Sequence, residues 1–285
     1  MKKTILFISA LAFLSSYAVA FSQNDLTANG LKGKVKSTTI IQSQFKKKWG
    51  IINSWNISSN TYILYNERGD IAKHIDSLAD ERSDIYVYSY DDRGNKVEVK
   101  RYDLNETIKT KTIYSYDEKG NIITTKSYEQ NEVLVWKSVN VYDDKGNMIE
   151  HTQYNSDEKI LWKDIYVYDE NGKMIENTHY NTEVNSEWKH SYAFDDKGNW
   201  VEWTTYDQKG QFRWQNIYTY DNNKNKVEII SYDSQKNIRN KETYFYTYDN
   251  SENRIVKIEK NVYARNTKKD KYRLIRIEVR EIEYY

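Results

Sequence analysis

The chain has 285 residues, with 43 Lys and Arg against 42 Asp and Glu, and neither Cys nor Pro. A balance this even lacks the basic excess of a nucleic-acid binder, and the missing Cys exclude disulfides, thiolate-held zinc or iron–sulfur centres and thiol catalysis. With 27 Tyr and 8 Trp the chain is far too aromatic for a solvated tail, despite 30% charged residues and a mean hydropathy of −0.92.

Residues 1–20 read as a secretory signal peptide: a basic Met1-Lys2-Lys3, an apolar run from Ile5 to Leu14, and the small-x-small site Ala18-Val19-Ala20. Cleavage near Ala20 removes Lys2 and Lys3. No later stretch reaches the roughly 20 apolar residues of a spanning helix, so no transmembrane segment is expected after cleavage. The expected location is extracytoplasmic, periplasmic or released. Residues 21–61 are expected to supply N-terminal capping strands, the first running from Val35 to Phe45.

From residue 62 to 260 the chain repeats. Tyr90, Tyr116, Tyr142, Tyr168, Phe194 and Tyr220 are spaced 26 residues apart, and each opens a phrase such as Tyr142-Asp143-Asp144-Lys145-Gly146-Asn147. A second series, Tyr102, Tyr128, Tyr154, Tyr180, Tyr206 and Tyr232, keeps the 26-residue step. Segments such as Ile165-Tyr166-Val167-Tyr168 have the β-branched and aromatic content of strands. The Asp-x-x-Gly phrase between strands is a tight turn, with Asp capping it and Gly taking a positive φ. Copies without that Gly, such as Lys224, are expected to be slightly strained or to use a nearby Asn. The second turn of each unit, for example Asp207-Gln208-Lys209-Gly210, is expected to be looser and more variable. The predicted fold is all-β: an antiparallel meander of 26-residue, two-strand units. It forms one long twisted or coiled sheet of roughly 14 to 18 strands. Residues 261–285 are read as C-terminal capping strands over its open edge.

If Asp143 pairs with Asn147, then Tyr142 faces Met148, Asn140 faces Glu150 and Trp136 faces Tyr154, while Val141 meets Ile149 on the other face. Val97, Ile123, Ile149, Ile175, Val201 and Val227 recur at one position. Strands this short and polar do not suit a membrane barrel, which needs about 9–11 residues and an apolar outer band.

The recurring Tyr-x-Tyr-Asp-x-x-Gly-Asn phrase resembles the YD-repeat, or RHS-repeat, proteins over residues 62–250. Leu31-Lys32-Gly33-Lys34-Val35-Lys36-Ser37 is similar to the start of small secreted YD-like proteins of Bacteroidota-type bacteria. The resemblance implies an extracytoplasmic repeat sheet. Larger relatives wind such repeats into a shell around a toxin domain; nothing resembling that domain follows the repeats here.

Four Trp carry the best candidate site. Trp136, Trp162, Trp188 and Trp214 are also 26 residues apart. Equivalent strands lie about 9.5 Å apart, so these Trp are expected to form one row beside Tyr154, Tyr180 and Tyr206. Such a row suits the flat faces of sugar rings or an aromatic-rich peptide. The simpler account is that cross-strand Trp–Tyr pairs hold a thin sheet together. Trp200 and Trp203 break the pattern and enrich the patch around Trp188. The ladder Glu98, Glu150, Glu176, Glu202 and Glu228 offers paired carboxylates, but an active site breaks a repeat rather than copying it. The Asp-rich turns match no calcium loop. In the register above, His151 and His179 point to opposite faces, which leaves no shared metal site with His190. No cofactor or metal is expected. The leading expectation is a non-enzymatic secreted repeat protein presenting an aromatic sheet to a polysaccharide or a surface protein. The alternatives are a purely structural envelope or shell component, and a glycan-active enzyme.

Overall fold

The computed structural model describes residues 31–48, 51–78, 83–251, 253–263 and 273–284. The proposed signal peptide lies outside them. They form β1 (Val35–Lys48), β2 (Ile51–Tyr65), β3 (Ile71–Leu78), β4 (Ser83–Tyr90), β5 (Lys96–Tyr102), β6 (Ile108–Tyr116), β7 (Ile122–Glu129), β8 (Leu134–Tyr142) and β9 (Met148–Asn155). The chain continues through β10 (Ile160–Tyr168), β11 (Met174–Asn181), β12 (Ser186–Phe194), β13 (Trp200–Asp207), β14 (Phe212–Tyr220), β15 (Lys226–Tyr232), β16 (Ile238–Tyr248), β17 (Arg254–Tyr263) and β18 (Arg273–Tyr284). The described residues contain no helix.

Each strand pairs antiparallel with the next, and β1 pairs with β18, so the 18 strands close into a meander barrel. The expected open strip is corrected here. Twist and coil accumulate along short strands until the two ends meet. The terminal strands do not cap two open edges; they pair with each other from Val35↔Tyr284 to Lys47↔Arg273 and remove both. The seam carries the main apolar core, where Leu31, Val35, Ile63 and Tyr65 are buried against Ile40, Ile71 and Ile282. Asn253, 0% exposed, ties the two ends: its Nδ2 donates to Tyr284 Oη at 2.6 Å and to the Lys32 carbonyl at 3.1 Å.

The tight turns explain the faces. Asp143 N donates to the Asn147 carbonyl at 2.9 Å, and Gly146 N donates to the Asp143 carbonyl at 3.0 Å, with Gly146 at φ 86°. The Asp143 carboxylate accepts from Asn147 N at 2.8 Å. Tyr142 pairs with Met148, but Val141 then pairs with Glu150, so Ile149 is an extra residue. The same shift follows the turns after Tyr90, Tyr116 and Tyr168. One bulge flips every later side chain to the other face. Trp136 therefore pairs with Asn155, not Tyr154, and Asn140 with His151, not Glu150.

The turns at the opposite end are mostly of the same kind rather than looser. Asp103 N donates to the Thr107 carbonyl at 3.1 Å and Glu106 N to the Asp103 carbonyl at 3.0 Å. Glu106, Glu132, Glu158 and Lys236 hold φ between 58° and 62° where Gly would be expected. Among the described residues, the turn after Asn181 differs: Thr182 N reaches back to the Leu161 carbonyl. Lys224 does carry the expected strain, at φ 62°.

The repeated Tyr has a structural task. The hydroxyls of Tyr90, Tyr116, Tyr142, Tyr168, Tyr220 and Tyr246 donate to the carbonyls of Ile71, Lys96, Ile122, Met148, Trp200 and Lys226 at 2.6–2.9 Å. Each bond ties one hairpin tip to the preceding hairpin. Phe194 lacks the hydroxyl, and Lys173 Nζ lies 5.5 Å over its ring instead.

Side chains converge on the concave face of a closing sheet and spread on the convex one. Ser138, Asp164, Tyr166, Asn177 and Thr205 share one face and are 0–7% exposed, whereas Val141, Ile165 and Val167 on the other are 38–44% exposed. Trp188 and Trp214, two strands apart on the first face, touch at 5.6 Å. That face lines the barrel interior, and a barrel of 18 strands is wide enough for a water-filled lumen.

Candidate functional site: the inner aromatic wall

Inner-facing positions repeat every 26 residues, and their side chains turn aromatic from β8 to β14. Trp136, Trp162, Trp188 and Trp214 occupy one such row on alternate strands. Trp162 lies between His151, stacked at 4.8 Å, and His179 at 5.8 Å. Trp203 on β13 reaches Trp214 at 6.3 Å and His190 at 5.4 Å. Trp200 joins Trp203 at 6.4 Å, Tyr192 at 5.4 Å and Tyr218 at 4.9 Å. Trp200 and Trp203 thus extend the row into a wall, centred where the sequence breaks its own pattern.

Polar groups fill the spaces between the rings. Asp164, 4% exposed, places Oδ1 2.9 Å from His179 Nδ1. Tyr192 donates to Asn177 Oδ1 at 2.6 Å, and His190 Nδ1 lies 2.8 Å from Thr205 Oγ1. The buried Trp203 Nε1 has no hydrogen-bond partner among the described residues. Burial holds His151 below the usual imidazole range and takes His190 down to about 4. Burial also raises the Tyr192 and Tyr218 phenols, which stay neutral. The wall offers flat apolar faces and mostly uncharged hydrogen-bonding groups, the pairing that a sugar ring presents in return.

The other expected members lie elsewhere. Tyr154, Tyr180 and Tyr206 are on the outer face, because the bulges invert their parity relative to the Trp. Tyr154 sits under Lys137 Nζ at 5.3 Å, Tyr206 packs edge-on to Phe212, and Tyr180 pairs with Lys163 and Glu187. The Glu ladder is also outside, not on the Trp face, and is zipped to cations: Lys100–Glu98 at 2.8 Å, Lys163–Glu150 at 2.7 Å, Lys189–Glu176 at 2.6 Å, and Lys241–Glu228. Gln215 donates to Glu202 at 2.8 Å. His151 and His179, expected on opposite faces, share the inner one with His190; no three His, Asp or Glu among the described residues form a metal-ligand group. Asp164 and Asn177 were not singled out from sequence. Asp164 lies 26 residues after Ser138 and before His190, in a polar row that stands out only once the bulges are counted.

Beyond β14 the inner wall becomes ionic. Glu278 holds Arg254 at 3.3 Å and Arg280 at 3.1 Å, and Arg276 lies 3.4 Å from Glu259. Lys226 Nζ sits 4.4 Å over the Tyr218 ring and Lys257 Nζ 4.8 Å over the Tyr244 ring. Burial lowers both lysines and raises Glu259. A cavity of about 220 Å³ opens beside Gln42, Lys257, Glu259, Arg276 and Glu278.

Among known proteins, no family profile and no curated sequence matches this chain. Solved structures do. A porin-like protein from Bacteroides uniformis aligns at 13% identity over 87% of this chain and 98% of its own, with a TM-score of 0.48. The TcdB2–TccC3–Cdc42 structure aligns at 13% identity over 87% of this chain and 15% of its own, with a TM-score of 0.40. A porin-like protein from Bacteroides vulgatus aligns at 13% identity over 88% and 98%, with a TM-score of 0.25. None of these matches bears on function.

Proposed function

We propose that this is a secreted, non-enzymatic YD-repeat-like barrel that binds an extended polysaccharide along its inner aromatic wall. The observation that carries the reading is the Trp row on alternate strands, with hydrogen-bonding side chains between its rings. Equivalent strands step by about 9.5 Å, but the Trp188 and Trp214 rings close to 5.6 Å and Trp203 and Trp214 to 6.3 Å, which joins the rings into an apolar strip. A linear glycan can lie along this strip while its hydroxyls reach Asn177 and the histidines. A lumen admits a thin chain more readily than a folded surface protein, which favours the polysaccharide. The non-enzymatic reading rests on the Glu ladder, the regular row of carboxylates, lying on the outer face away from the Trp wall and paired with Lys100, Lys163, Lys189 and Lys241.

The outer Lys–Glu zipper supports a barrel whose outer face works in water rather than in a bilayer. A Lys at the middle of a lipid bilayer would cost about 2–4 kcal/mol, and such residues recur on strand after strand.

The second reading, that the aromatics are only the fabric of the wall, draws on the ring-to-ring contacts themselves. Co-sedimentation of the mature protein with insoluble polysaccharides and cell-wall preparations separates the two. The comparison is the quadruple variant Trp136→Thr, Trp162→Thr, Trp188→Thr and Trp214→Thr, checked by circular dichroism. Binding by the parent and none by a folded variant supports recognition. No binding by the parent, with an unfolded variant, overturns it in favour of the structural reading.

A further inference from the structure

The aromatic wall does not end abruptly. Trp203 touches Trp200, Trp200 touches Tyr218 at 4.9 Å, and Lys226 Nζ lies 4.4 Å over the same Tyr218 ring. Along this repeat position the residues are Lys96, then Ile122, Met148, Met174 and Trp200, then Lys226, with Arg254 next after the two-residue insertion. The row is apolar beneath the Trp wall and turns basic where the wall stops. Repetition alone does not account for that change.

The local charge is unbalanced. Five cationic side chains, Lys226, Arg254, Lys257, Arg276 and Arg280, share this part of the lumen with Glu242, Glu259 and Glu278. The three carboxylates are engaged: Glu278 with Arg254 and Arg280, Glu259 with Arg276, and Glu242 with the Tyr244 hydroxyl and Asn240. Among the described residues Lys226 and Lys257 form no ion pair, and each is held against an aromatic face. Two half-buried ammonium groups without a bound counter-charge are costly in a restricted lumen, and an arriving anion offsets that cost. Burial lowers both lysines; Lys257 adds to this at Lys226 and Arg254 and Arg280 add to it at Lys257, while Glu242 opposes it at Lys226 and Glu278 and Glu259 oppose it at Lys257.

We propose that the ligand is an acidic polysaccharide, with sugar rings on Trp200, Trp214 and Tyr218 and carboxylates received by Lys226 and Lys257. This rests on the glycan-binding reading above and names the class of glycan. Ring stacking supplies contact area, and the lysines select for charge.

The test titrates the purified protein with an oligogalacturonate and with an uncharged galactan oligomer of equal length, followed by intrinsic Trp fluorescence. The variant is Lys226→Met with Lys257→Met, which keeps an apolar stem over each ring; thermal unfolding confirms that it is folded. The expected result is tighter binding of the uronate by the parent, weakened about tenfold in the variant, with binding of the neutral oligomer unchanged. Equal binding of the two oligomers by the parent, or an unchanged uronate affinity in the folded variant, overturns this proposal and leaves the aromatic reading in place. Binding of neither oligomer overturns both.

Discussion

The inner wall from β8 to β14 and the wall from β15 to β18 are built on the same antiparallel ladder, yet one is aromatic and the other ionic. Tyr142 and Tyr246 make the same hydroxyl-to-carbonyl tie on the two walls, at 2.9 and 2.6 Å. Asp143 and Asp249 cap equivalent turns. The difference shows a division of labour within each repeat. The Tyr–Asp phrase and its bulge hold the ladder together, which frees the inner rows to change chemistry from one unit to the next.

The largest expected effect separates the two walls by their response to salt. Glu278→Ala removes the carboxylate shared by Arg254 and Arg280, whose side chains are 28% and 12% exposed. It should cost about 3 kcal/mol in urea denaturation, with partial recovery at high salt. Trp203→Ala should cost about 2–3 kcal/mol, with no salt dependence. Equal salt responses would erase the distinction.

Acid should weaken the aromatic wall. Its buried His190 is neutral in the fold down to about 4, against 6.5 in the unfolded chain, with Asp164 opposing this shift and His179 adding to it. The unfolded chain therefore takes up a proton first as pH falls below 6.5. His190 contributes a loss of about 3 kcal/mol between there and pH 4, and His151 acts in the same direction. Glu259 on the ionic wall runs the opposite way, because its raised carboxyl favours the fold at low pH. The paired variant His151→Gln and His190→Gln should show a flatter stability profile from pH 7 to 4.5; an unchanged slope would contradict the assignment.

Smaller effects test the common ladder. Tyr142→Phe should lose about 1 kcal/mol, and Phe194→Tyr should gain a similar amount by supplying the missing hydroxyl, both read by thermal unfolding. Lys224→Gly should stabilise the chain by about 0.5–1 kcal/mol by relieving its positive φ. Absence of either gain would mean that the affected unit is held differently from its neighbours.

Much of the ladder was legible in the residues. The 26-residue step, the Asp-capped turns and the positive φ of Lys224 appear as read, and strands form at both ends, although they pair with each other instead of capping open edges. What misled was parity. A bulge adds one residue without altering the repeat length, so Trp136 and Tyr154 read as partners although they lie on opposite faces. The second bulge was hidden because Glu106, Glu132 and Glu158 take the positive φ usually signalled by Gly. Closure was hidden because β1 and β18 lie outside the repeat, and their pairing over 14 and 12 residues leaves no periodic trace. The Asp164–His179 pair was missed for the same reason as the histidine faces: both depend on counting the bulges.

The central claim is that recognition lies on the inside of the barrel and that the outer Tyr row takes no part. The most direct measurement is oligosaccharide affinity, by calorimetry, for two matched triple variants. One replaces the inner Trp162, Trp188 and Trp214 with Thr, and the other replaces the outer Tyr154, Tyr180 and Tyr206 with Thr. The account predicts that the folded inner variant loses binding while the outer variant keeps the parent affinity. Loss of binding in the outer variant, with the inner one unaffected, would contradict it.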